Sequence, residues 1–106
     1  MSGRRRTLAA ASLALALGAC SSEQRLLLDV HHLPSGKVAL ADVAAAHRKD
    51  LAIEGAHGVA YRRYWVDEGS GTIFCLVEAP SAEAANTVHR EAHGLVADEI
   101  HEVSQG

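Results

Sequence analysis

Seven histidines in 106 residues give this chain an unusual supply of imidazole. Imidazole nitrogens bind divalent transition metals and exchange protons near neutral pH. The most suggestive spacing is in Val88-His89-Arg90-Glu91-Ala92-His93-Gly94. Side chains four apart on a helix share one face, one turn apart. His89 and His93 could therefore chelate one ion. The metalloprotease pattern, with Glu directly after the first His, is absent. The plainer alternative is two half-exposed histidines on a helix flank.

Other residues could complete a site. His47 falls between Val43 and Leu51 on an apolar stripe. A buried imidazole needs a partner for each nitrogen, whether carbonyl, carboxylate or metal. His31 and His32 are adjacent near a strand end, so they point to opposite faces. Cys75, in Ile73-Phe74-Cys75-Leu76-Val77, is either a buried structural thiol or a soft ligand. The candidate metal ligands are thus His89, His93, His47, His32 and Cys75. Asp29 interrupts Leu26-Leu27-Leu28 and Val30. It is costly there unless paired with Arg62 or Arg63, bound to metal, or orienting a histidine. Period-two alternation puts Tyr61 and Trp65 on one strand face. With Asp29 they would line a ligand cleft, or they would form a dimer contact. His57 lies in a connection, and His101 on a solvated last strand.

These residues need elements to position them. Residues 26–32 read as a central strand, broken by Pro34-Ser35-Gly36. Residues 38–54 carry Leu40, Val43, His47 and Leu51 at helical spacing, stopped by Gly55 and Gly58. Residues 59–66 alternate as a strand, 67–71 form a hairpin loop, and 72–78 form a buried strand. Ser81 is placed to cap a helix with Ala85, Val88 and Ala92 inward, ending at Gly94. Residues 97–103 form a polar edge strand. The βαββαβ order predicts a ferredoxin-like α+β sandwich, a four-stranded antiparallel sheet with both helices on one face. The uncovered face and a body of this size favour a homodimer.

The chain is 48% hydrophobic and 22% charged, too apolar for a disordered chain. Its first nineteen residues hold three arginines and no acid. The remainder has seven basic and thirteen acidic residues, a net charge of −6 that argues against nucleic-acid binding. Arg4, Arg5 and Arg6 precede the apolar residues 7–17, a run too short to span a bilayer. Leu17-Gly18-Ala19-Cys20 then resembles a bacterial lipobox. It implies a lipoprotein signal at 1–19, a lipidated linker at 20–25 and a folded domain at 26–104. Lipidated Cys20 would anchor the body to a bacterial membrane, on the extracytoplasmic side of the cell envelope.

The body also resembles a known family. Ala46-His47, Asp50-Leu51, Tyr64-Trp65-Val66-Asp67-Glu68, Phe74-Cys75-Leu76, Ala79-Pro80 and the His89–Leu95 string are similar to a bacterial domain-of-unknown-function family. Its characterised relative is a nickel-responsive, nickel-binding protein with a dimeric ferredoxin-like fold. The resemblance implies this fold, a dimer, and a divalent transition metal such as nickel. Two other readings stand beside an envelope-anchored metal binder. One is a small-ligand binder or enzyme of the dimeric α/β barrel type, with His47 or His89 as general base. The other is an interaction module without metal. No phosphate loop, dinucleotide fingerprint or Ser-His-Asp order names a reaction.

Overall fold

The computed structural model describes residues 23–106. The leader and Cys20 lie outside the described residues. The elements are β1 (Arg25–His32), α1 (Leu40–Ile53), a 3-10 turn (Glu54–His57), β2 (Ala60–Asp67), β3 (Thr72–Ala79), α2 (Ala82–Ala92) and β4 (Glu99–Glu102). The strands pair antiparallel in the order β2-β3-β1-β4. This is the expected ferredoxin-like arrangement, with the polar fourth strand at an edge and shortened to four residues. Among the described residues, no helix is long and apolar enough to cross a membrane.

Strand alternation divides β1 between two environments. Leu27, Asp29 and His31 face the helices, where all three are buried. Leu26, Leu28 and Val30 face the other side. The helix-side core gathers Leu27, Val43, Val59, Ile73, Val77, Ala85 and Val88. Ser81 caps α2 as expected, its hydroxyl accepting from the Ala84 amide at 3.1 Å. Past the end of α2, Gly94 takes a left-handed φ of +87°, which suits a residue without Cβ. Helix α1 is capped from outside. The Glu68 carboxylate, in the β2–β3 loop, accepts from the Leu40 amide at 2.7 Å.

Two expectations about facing are corrected. On α1 the inward stripe is Val43, His47 and Asp50, while Leu40 and Leu51 are 54% and 46% exposed. The helix is turned so that the Asp50 carboxylate meets histidines inside, and that bonding outweighs the burial of two leucines at the rim. On β2 a register shift falls between Tyr61 and Arg63. Such a bulge spends an extra residue and reverses the alternation beyond it. Tyr61 and Tyr64 therefore point inward, and Trp65 points outward, 49% exposed. Tyr61 and Trp65 do not share a face.

Candidate metal centre

The chemistry-bearing residues converge between β1, α1 and α2. His89, on α2, is almost fully buried, and each of its ring nitrogens meets a carboxylate. Nε2 lies 3.1 Å from Asp29 Oδ2, and Nδ1 lies 3.0 Å from Asp50 Oδ1. His93, one turn on at the end of α2, places Nε2 3.1 Å from the same Asp50 Oδ1. The two rings lie 4.9 Å apart, the same-face arrangement their spacing predicts. Asp29 has further contacts. The Tyr61 hydroxyl donates to its Oδ2 at 3.1 Å and lies the same distance from the Ala85 carbonyl. His31 Nε2 approaches Asp29 Oδ1 at 3.2 Å, but no hydrogen bond reaches that oxygen or His31 Nδ1 among the described residues.

Asp29 is thus held by histidines and a tyrosine. Arg62 instead pairs with Glu78 on the surface at 2.7 Å, and Arg63 is exposed. Of the alternatives open for Asp29, the arginine pairing does not form, because both arginines lie exposed on the outer side of β2, while contact with histidines does.

The electrostatics follow from this packing. For Asp29, burial opposes the charge, but the close approach of His31 and the hydrogen bond with His89 overcome it and hold the carboxyl at about 2. For His89, burial opposes the cation, but bonds to Asp29 and Asp50 raise the imidazole to about 9. Without metal, His89 is therefore an imidazolium clamped between two carboxylates at neutral pH. His93 titrates below the usual histidine range, chiefly through burial, with the Asp50 carboxylate opposing. Burial also pushes the Tyr61 hydroxyl and the Cys75 thiol well up, so both stay protonated.

Two donor groups share His89. Asp50, His89 and His93 each offer a ligand atom, all within 4.8 Å of one another, and so do Asp29, His31, Cys75 and His89. The first group is two imidazoles and a carboxylate, a donor set suited to a divalent transition ion that keeps positions open. His93 is only partly buried, so this group has access to solvent. Were an ion held at the near nitrogen of His89, Asp29 would orient that histidine through its far nitrogen. The second group is fully buried and contains Cys75, a free thiol in mid-strand.

The remaining candidates lie apart. His47 is half-buried with its ring 4.8 Å from Tyr64, near the centre but in neither donor group. His32 is exposed on the opposite sheet face, where its Nε2 meets Glu99 at 2.7 Å. His101 shares that glutamate at 2.9 Å, and His57 pairs with Glu91 at 3.0 Å. Trp65 faces away from the centre. Asp50 and His31 are the site residues that the sequence reading passed over. Asp50 stands seven residues after Val43 and three after His47, so two-turn spacing could have revealed it.

Comparison with known proteins agrees with this layout. Residues 27–103 match the family described as nickel responsive protein SCO4226-like. The crystal structure of SCO4226 from Streptomyces coelicolor A3(2) is similar, with 44% identity and a TM-score of 0.70. The match covers 76% of this chain and 98% of that one. A comparison with curated proteins gives no significant match. With the family match spanning most of its length, and a fold and site built as above, this chain belongs to the SCO4226-like family.

Proposed function

We propose that this protein binds a divalent transition ion, nickel foremost, through Asp50 Oδ1, His89 Nδ1 and His93 Nε2. The observation that carries this reading is the convergence of two imidazoles on one buried carboxylate, with Asp29 steadying His89 from behind. The family's description as nickel responsive supports nickel. Imidazole and carboxylate donors also suit copper and zinc, so metal supply would decide among them. A bound ion would offer Lewis acidity at its open positions. Binding displaces the proton that His89 Nδ1 presents to Asp50. It also moves the His93 ring proton to Nδ1, so the Leu95 amide, which donates to that nitrogen at 3.1 Å, must release it.

The same proposal places the domain at the cell envelope, tethered to a bacterial membrane through lipid on Cys20. The succession of Arg4–Arg6, an apolar run and Leu17-Gly18-Ala19-Cys20 supports it. A Cys20→Ser substitution would move the protein from the membrane to the soluble fraction. A second copy would cover the outer sheet face, where Leu28, Phe74 and Leu76 are half-buried and Trp65 is exposed.

The metal assignment is tested on the body alone. Residues 27–103 carry the family match, and 76% of this chain covers 98% of a solved protein, which supports taking the body as a unit that folds by itself. Residues 23–106, prepared without a tag, should take up one nickel ion per chain. The Asp50→Asn, His93→Ala double variant should bind at least about tenfold more weakly. Unchanged affinity in a folded double variant would overturn the assignment.

A further inference from the structure

On the sheet side of His89, strand pairing gathers a second set of donors. Asp29 and Cys75 are cross-strand partners on β1 and β3, and His31 follows two residues along β1 on the same face. With His89 these residues offer four donor atoms, all within 4.8 Å of one another. None of the four residues is more than 7% exposed. Asp29 Oδ1 and His31 Nδ1 have no hydrogen-bond partner among the described residues. A buried carboxylate oxygen without a donor is costly, and a cation removes that cost. His31, Cys75 and His89 also border a half-open cavity of about 150 Å³, which gives an ion a way in.

The donors select the ion. A thiolate and a carboxylate carry two negative charges, and two neutral imidazoles add none. A divalent cation cancels that charge, whereas a monovalent one leaves a net charge buried. Calcium and magnesium take oxygen ligands, and thiolate favours a softer ion. Four Cys, His and Asp donors closed off from solvent match the coordination of zinc.

We propose that Asp29, His31, Cys75 and His89 Nε2 form a closed four-donor zinc site, and that zinc there excludes nickel from Asp50, His89 and His93. His89 is the shared residue, with Nε2 facing Asp29 and Nδ1 facing Asp50. Zinc on Nε2 leaves the proton on Nδ1, which donates it to Asp50, and Asp50 then orients the ring. Nickel on Nδ1 reverses the roles of the two carboxylates. One ring proton serves one arrangement at a time. Zinc uptake releases the Cys75 thiol proton and one His89 ring proton to solvent. The exclusion rests on the nickel reading above, and the zinc site does not.

The test uses residues 23–106, in which Cys75 is the single thiol, with cobalt(II) as a coloured stand-in for zinc. Cobalt should produce a thiolate-to-metal charge-transfer band and the intense visible bands of a tetrahedral ion, and zinc should abolish both. Cys75→Ala should remove the charge-transfer band and weaken zinc binding at least about tenfold, while nickel affinity stays within about twofold. His93→Ala should keep the band and lose nickel affinity. Saturating zinc should weaken nickel binding to the unsubstituted body at least about tenfold. Failure of the folded body to develop the charge-transfer band at saturating cobalt would overturn the zinc site. Equal zinc affinity in a folded Cys75→Ala variant would overturn it as well. Nickel and zinc held together in one chain would overturn the exclusion. A body that shows the band but takes up no nickel would refute only the nickel reading.

Discussion

Replacing Asp29 by Asn keeps the side chain's size and removes the charge at the centre of the buried network. Asp29 meets His89 Nε2, the Tyr61 hydroxyl and His31 within 3.2 Å. His89 is raised from 6.5 to about 9, against the burial that would lower it, by its bonds to Asp29 and Asp50. A group whose folded pKa is raised stabilises the fold fully below its unfolded value and loses that contribution as pH rises through the folded value. The window for His89 is therefore pH 6.5 to about 9. At about 1.4 kcal/mol per pH unit, it corresponds to about 3 kcal/mol. Removing one partner of a buried charge pair costs about 3–5 kcal/mol. A domain of this size holds roughly 4–12 kcal/mol in all, so the substitution should be plainly visible. Urea melts of the metal-free body, read by the single tryptophan, would measure it. The unsubstituted protein should lose about 3 kcal/mol from pH 6.5 to 9. Asp29→Asn should start about 3 kcal/mol weaker at pH 6.5 and show a much shallower decline. A flat profile in the unsubstituted protein, or an unaltered slope in the variant, would refute the clamped-imidazolium account.

Other outcomes follow from the same contacts. Tyr61→Phe removes the hydroxyl from Asp29 and the Ala85 carbonyl, and should cost about 1–2 kcal/mol in the same melts. His32→Ala should leave nickel affinity within about twofold in equilibrium dialysis, because His32 lies exposed on the other sheet face beside Glu99. Nickel binding should strengthen by about tenfold per pH unit between pH 7 and 9, since the ion must displace the His89 proton. A pH-independent affinity in that range would show that His89 is not a ligand.

Much of the fold was legible because local signals agreed with it. Alternation, glycine and proline breaks and the Ser81 cap each pointed to the element that forms. The His89–His93 pair was legible for the same reason, since helical spacing alone puts both rings on one face. What escaped was set by contacts distant in sequence. Asp50 faces inward because it meets histidines on α2, about forty residues away, and helical periodicity weighed Leu51 above it. The β2 bulge is likewise a matter of pairing with β3, and it reversed the side of Trp65. Adjacent histidines on β1 were correctly assigned to opposite faces. Choosing His31 over His32 required knowing which face the helices cover.

The central claim is that one ion sits among Asp50, His89 and His93. Anomalous diffraction at the nickel edge from nickel-loaded crystals of the body tests it most directly. The account predicts a peak within bonding distance of Asp50 Oδ1, His89 Nδ1 and His93 Nε2, and its absence in Asp50→Asn crystals. A peak instead beside Cys75 and His31, or at the exposed His32–Glu99–His101 cluster, would contradict it.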